Sequence, residues 1–122
     1  MKSILVVDDS RIMRNIVKNT FAELKIPCQF FEAENGRRAY QQLETNKIDL
    51  VLLDWNMPEM NGMEFLKKVR SMPNYKDLPI IMVTSESAKY NVVEALQNGA
   101  TDYIVKPIRE KVFMDKLAEI SF

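Results

Sequence analysis

The sequence has no histidine and one cysteine, Cys28. The first absence removes imidazole general bases, Ser-His-Asp triads, His-ligated zinc and any role as a phosphohistidine donor. The second rules out an internal disulfide. Charge of one sign is lacking too: Lys plus Arg and Asp plus Glu stand at 17 each. With no bulk field to attract nucleic acid or an anionic membrane, neither is an expected partner, and charge must act locally. No stretch approaches the roughly 18 apolar residues of a membrane span. The first apolar run, Ile4 to Val7, is stopped by Asp8 and Asp9. It is too short for a signal-peptide core, so a reducing, cytoplasmic location is expected. Glycine is scarce, and Gly36, Gly62 and Gly99 read as turn or cap positions.

What remains is an ordinary globular composition: 122 residues, 47% apolar and 28% charged. That size suits one domain with one core. Short apolar runs alternate with helical patterns. Ile4 to Val7 reads as a buried strand. A helix follows, with Ile12, Met13, Ile16, Val17, Phe21 and Leu24 assigned to one face. After Pro27 comes a weaker strand, Gln29 to Glu32, placed toward an edge. Asn35-Gly36 opens a helix presenting Ala39, Tyr40 and Leu43. The third strand is Leu50 to Leu53, and Asn61-Gly62 precedes a helix with Met63, Leu66 and Val69. Pro73 to Pro79 is a loop, and Pro79 to Thr84 the fourth strand. Ser87 is expected to cap a helix carrying Ala88, Val92, Ala95 and Leu96, ending at Gly99. Asp102 to Lys106 is the fifth strand. The last helix carries Val112, Phe113, Leu117 and Ile120. Five strands alternating with five helices predict an α/β fold, an open doubly wound parallel sheet. A (β/α)₈ barrel would need about 250 residues. No repeat, low-complexity segment or linker interrupts the chain, so a single domain over 1–122 without an output domain is expected.

In open parallel sheets, sites form beyond the carboxyl ends of the strands. Strand one delivers Asp8 and Asp9 there, strand three Asp54, strand four Thr84 and Ser85, and strand five Lys106. Two like charges about 4 Å apart cost roughly 4 kcal/mol at an effective dielectric near 20. Three carboxylates at one edge therefore call for compensating cations. Lys106 supplies one, and a hard divalent ion such as Mg²⁺ suits an all-oxygen donor set. The Thr84 hydroxyl and the Lys106 ammonium are groups suited to grip phosphoryl oxygens. Phosphoryl transfer to a carboxylate is the chemistry this set favours. Singly, each residue has a plainer reading. Asp8-Asp9 is a common helix cap, with Asp9 just before a helix. Thr84 is an ordinary strand-end residue, Lys106 a solvated lysine and Tyr103 a packed strand residue. Cys28 reads as a small core residue, and Met57, Met60 and Met63 as gap-fillers.

Asp8-Asp9, Asp54, Thr84 and Lys106-Pro107, in that order and each at a strand end, resemble the receiver domain of two-component response regulators over essentially the whole chain. Within that family the resemblance is to single-domain chemotaxis regulators. It is carried by Asp54-Trp55-Asn56-Met57-Pro58, Met82-Val83-Thr84, Met13-Arg14 and Tyr103 to Pro107. The resemblance implies a (βα)₅ fold with flavodoxin-like strand order 2-1-3-4-5. It implies Asp54 as phospho-acceptor, Asp9, Asp54 and the Asn56 carbonyl as Mg²⁺ ligands, and Asp8 orienting metal-bound water. Thr84 and Lys106 would hold the phosphoryl group, Asn56 and Glu86 would tune its loss, and Tyr103 would be the switch coupled to Thr84. The Lys106-Pro107 bond would be cis. Lys89, Val92, Tyr103, Val105 and Lys116 would form the partner surface.

A CheA-like histidine kinase is the expected phosphodonor and a FliM-like flagellar motor switch protein the expected output. The resemblance also allows for a phosphatase as a partner, and the chain is expected to be a monomeric signalling switch, not an enzyme. The alternative within the family is a phosphorelay intermediate that passes the group to a histidine phosphotransfer protein. Ser10, Ser85 and Tyr90 depart from the chemotaxis pattern, which has an aromatic, an alanine and an acidic residue there. Ser85 and Tyr90 adjoin the expected partner face. Two readings from other classes stand further off. A haloacid-dehalogenase-like phosphatase wants a second Asp two residues after the nucleophile, where this chain has Asn56. A flavodoxin-like module wants a hydroxyl-rich loop where this chain has Asp8-Asp9.

Overall fold

The computed structural model describes residues 1–55, 57, 60–85 and 89–120, the side chains of 89–91 excepted. The chain runs β1 (Lys2–Val7), α1 (Arg11–Glu23), β2 (Cys28–Ala33), α2 (Gly36–Thr45), β3 (Leu50–Asp54) and α3 (Gly62–Arg70). A short 3₁₀ turn at Pro73–Tyr75 precedes β4 (Ile80–Thr84), α4 (Lys89–Gln97), β5 (Asp102–Val105) and α5 (Glu110–Glu119). The strands are parallel, in the order β2-β1-β3-β4-β5. The implied order is therefore the observed one, and β2 lies at an edge as its weaker pattern suggested.

The order explains the two layers of helices. The chain steps outward from β1 to β2, then returns across β1 to β3 and continues to β5. Right-handed crossovers place the outward helix on one face and the returning helices on the other. Val17 and Phe21 of α1, with Phe113 and Leu117 of α5, pack on Ile4, Val6, Leu50, Leu52, Ile81, Val83 and Ile104. Ala39 and Leu43 of α2, Phe65, Leu66 and Val69 of α3 and Ala95 of α4 pack on Leu5, Val7, Val51, Leu53, Ile80 and Met82. Successive strand residues thus serve opposite faces, and both faces are covered. That is why β3 and β4 read as unbroken apolar runs. Phe21 anchors the first layer edge-on to Phe113 and Phe30, at 5.0 and 5.6 Å between centroids.

Three helix faces differ from the sequence reading. Ile12 is 73% exposed and Ile16 41%, while Thr20 is buried, its hydroxyl donating to the Ile16 carbonyl at 2.8 Å. Leu96 and Val112 are each 43% exposed, beside buried Ala95 and Phe113. Adjacent helical residues point about 100° apart, so only one of each pair can reach the sheet. The cap of α1 also differs. It is Ser10, whose Oγ accepts the Met13 N–H at 3.2 Å, and not Asp9. Asn35 caps α2, and Asn61 with Glu64 forms a capping box on α3. Ser87 and Ala88, expected at the start of the fourth helix, lie outside the described residues. Gly99 has φ +102°, the left-handed conformation that ends the turn after α4.

Candidate functional site

Val7 pairs with Leu53 in the β1–β3 register, so the next residues, Asp8 and Asp54, leave the sheet side by side. This is the switch point of the topology, where β1 lies between β2 and β3. Carboxylate oxygens of Asp8, Asp9 and Asp54 lie within 4.8 Å of one another. Asp8 and Asp54 are buried and Asp9 is exposed, so the cluster has a dry floor and an open mouth. Lys106, from the end of β5, spans the gap: its Nζ is 3.2 Å from Asp8 Oδ2 and 3.2 Å from Asp54 Oδ1. The Lys106 N–H donates to the Thr84 carbonyl at 2.8 Å, and the Lys106-Pro107 peptide is cis. Thr84 itself is buried at the end of β4.

The charge balance is unfavourable for three ionised acids. Burial pushes the Asp54 carboxyl above the ordinary range. Neighbouring Asp8, and less strongly Asp9, add to the rise against the pull of Lys106. Burial works against the Lys106 ammonium, but Asp54 and Asp8 outweigh it and hold the lysine above its usual range. The site therefore keeps its lysine charged while one cation faces three acids. A hard divalent ion fits this donor set, which offers only oxygen ligands and carries surplus negative charge. Asp8, Asp9 and Asp54 could hold Mg²⁺.

Backbone contacts fix the floor. A Cβ on Gly62 would come 2.3 Å from the Asp54 carbonyl oxygen, so only glycine lets α3 begin against the end of β3. The Gly62 N–H donates to the Trp55 carbonyl at 2.9 Å, closing that approach. Asp8 is held from both sides. Its N–H donates to the Ala33 carbonyl at 3.0 Å, and its carbonyl accepts from Arg14 Nη1 at 2.6 Å. Arg14 Nε in turn donates to Glu32 Oε1 at 3.0 Å, and Lys18 Nζ lies 3.0 Å from Glu32 Oε2.

Sequence reasoning named Asp8, Asp9, Asp54, Thr84 and Lys106. The structure brings the three acids and the lysine together and sets Thr84 at the adjoining strand end. Asn56 and Glu86 lie outside the described residues, as does the Lys89 side chain. Tyr103, Val105 and Lys116 share an open groove of about 420 Å³ with Pro107, Arg109 and Val112. Lys116 Nζ sits 5.0 Å from the Tyr103 ring centroid and donates to Asp102 Oδ1 at 2.9 Å. Val92 is half-buried on α4. Glu32 and Gly62 were missed as site-shaping residues, and Arg14 was noticed only as part of a resemblance. One available signal was Glu32 itself, a charge interrupting Phe30-Phe31 and Ala33.

Comparison with known proteins agrees with this geometry. The family described as the response regulator receiver domain matches residues 4–118. A chemotaxis protein CheY homolog of Campylobacter jejuni is 48% identical over 118 residues, covering 96% of this chain and 90% of the relative. Chemotaxis protein CheY1 of Helicobacter pylori is 49% identical over 115 residues, covering 93% and 92%. The structure of Vibrio cholerae chemotaxis protein CheY4 superposes with a TM-score of 0.88 at 33% identity, covering 98% of both chains.

Proposed function

Because the chain belongs to the response regulator receiver family, we propose that Asp54 accepts a phosphoryl group from the phosphohistidine of a CheA-like kinase. The modified chain then turns its α4–β5–α5 surface toward a FliM-like motor switch protein. The observation that carries this reading is Lys106 Nζ at 3.2 Å from both Asp8 and Asp54, at the ends of three parallel strands. A lysine so placed can follow the reacting oxygen without leaving the site.

In the transfer, an Asp54 carboxylate oxygen attacks phosphorus in line with the departing imidazole nitrogen. The P–N bond breaks, its electron pair stays on the imidazole, and solvent protonates that ring. Lys106 moves its ammonium onto a phosphoryl oxygen, and the Thr84 hydroxyl donates to another. Asp8, Asp9 and Asp54, with the Asn56 carbonyl, would hold Mg²⁺, which when bound supplies positive charge against the phosphoryl oxygens. Asn56 and Glu86 tune how fast the group is lost. Thr84 moves toward the phosphoryl group, Tyr103 follows into the vacated space, and the surface that includes Lys89, Val92, Val105 and Lys116 changes its preference for partners. The half-buried Tyr103, beside the exposed Val105 on β5, supports that route. The chain works as a single receiver domain and a monomer in the cytoplasm, reset by its own hydrolysis and by a phosphatase.

Acetyl phosphate with Mg²⁺ is expected to label the wild-type chain, and Asp54→Asn to abolish labelling. Full-stoichiometry labelling of that variant would defeat the assignment.

A further inference from the structure

Arg14 touches the site without belonging to the set that meets the phosphoryl group. Its side chain is 14% exposed, so it is committed to the protein and not to solvent. One arm donates to the Asp8 carbonyl at 2.6 Å and Nε donates to Glu32 at 3.0 Å. Glu32 is further held by Lys18 at 3.0 Å and precedes Ala33, whose carbonyl accepts the Asp8 N–H. Both polar groups of the Asp8 peptide backbone are thus tied to β2, one directly and one through the guanidinium. The turn that carries Asp8 and Asp9 leaves β1 at this point, and Asp8 Oδ1 accepts the Ser10 N–H at 2.9 Å. A fork that bridges a carboxylate and a carbonyl has a fixed geometry that lysine cannot copy.

We propose that Glu32 and Arg14 form a clamp that positions the Asp8-Asp9 turn for divalent cation binding, making both positioning residues for the acidic site. The inference rests on the metal reading given above and extends it to residues that donate no ligand atom. Charge alone predicts the opposite sign. Arg14 is a cation near a site for a cation, so as a mere neighbouring charge its removal would tighten Mg²⁺ binding. As a clamp, its removal loosens the turn and weakens binding. Partners that orient metal ligands are worth about 10–100-fold in affinity where they have been removed.

The test is Mg²⁺ titration of the full chain at neutral pH, followed by Trp55 fluorescence and by calorimetry, with thermal melting measured in parallel. Arg14→Gln is expected to raise the Kd for Mg²⁺ about tenfold. Arg14→Lys is expected to fall close to Arg14→Gln, because it keeps the charge and loses the fork. Glu32→Gln keeps an acceptor and is expected to weaken binding less than Arg14→Gln does; it serves if an Arg14 variant fails to fold. Unchanged or tighter Mg²⁺ binding in folded variants would overturn the clamp, including the case where melting temperature falls and Kd does not. Rescue of Kd by Arg14→Lys would also overturn it, because a single ammonium would then do what the fork is proposed to do. A wild-type chain that bound no Mg²⁺ would overturn the clamp together with the metal reading. Wild-type binding with unaffected variants would overturn the clamp alone.

Discussion

Two aspartates bracket β3, and they are used in opposite ways. Asp49 stands just before the strand. Its Oδ2 accepts the Ser3 N–H at 2.8 Å, and its own N–H donates to the Ser3 carbonyl at 2.8 Å. The carboxylate ties β1 to the start of β3 and its charge is spent on backbone. Asp54 closes the same strand and is crowded by Asp8 and Asp9, with one lysine shared between two acids. Residue type is the same and the sheet is the same. What differs is the end of the sheet, because parallel strands bring their following loops together at the carboxyl edge and nowhere else. A carboxylate placed there is available for chemistry, whereas one at the amino edge is a structural tie.

The largest expected effect is on ligand-linked stability. Free Mg²⁺ at a hundred times its Kd is expected to stabilise the wild-type chain by about 2.7 kcal/mol, read as a rise in melting temperature. Asp49→Ala should keep that rise, and Asp54→Asn should lose most of it. A rise of equal size in all three chains would erase the contrast between the two ends of β3.

Next come the aspartates themselves, in chelator-treated buffer. Asp49→Ala removes a charged acceptor from a half-buried backbone N–H and is expected to cost about 1–2 kcal/mol in urea unfolding. Asp54→Asn is expected to stabilise, since a neutral isostere removes the desolvation cost and the repulsion from Asp8 that raise the Asp54 carboxyl. Matching signs for the two variants would break the comparison.

The smallest effect is the pH dependence of that gain. Asp54 is raised in the folded chain, so the native state takes up its proton before the unfolded state does. Stability from this group is therefore lost as pH rises through the folded pKa and is regained below it. The advantage of Asp54→Asn in metal-free buffer should be full at neutral pH and fade as pH falls toward about 3.9, the ordinary aspartate value. A gain that grew on acidification would contradict the cause given for the raised pKa.

Much of this was legible in the residues. Continuous apolar runs fixed β3 and β4 because both faces of the sheet are covered. Asp8, Asp9, Asp54 and Lys106 could be placed at one edge because parallel strands leave no other option. The helix faces were less legible. Ile16 and Val17, Ala95 and Leu96, and Val112 and Phe113 offer two apolar neighbours each, and composition cannot say which meets the sheet. The packing of Phe21 against Phe113 and Phe30 decides it for the first layer. Ser10 took the cap that Asp9 could have made, leaving Asp9 exposed beside the cluster. Arg14 and Glu32 meet only through the β1–β2 pairing, so their bond has no local signature. Gly62 looked like any turn glycine, and its contact with the Asp54 carbonyl exists only once α3 packs back on the strand.

The central claim is that Asp54, and no other acid at the crowded edge, carries the phosphoryl group. Borohydride reduction after acetyl phosphate treatment converts an aspartyl phosphate to homoserine, and peptide mass mapping then locates it. The account predicts homoserine at position 54 alone, with Asp8, Asp9 and Asp49 unmodified. Modification at Asp8 or Asp9, or none at position 54 in a chain that has taken up phosphate, would contradict it.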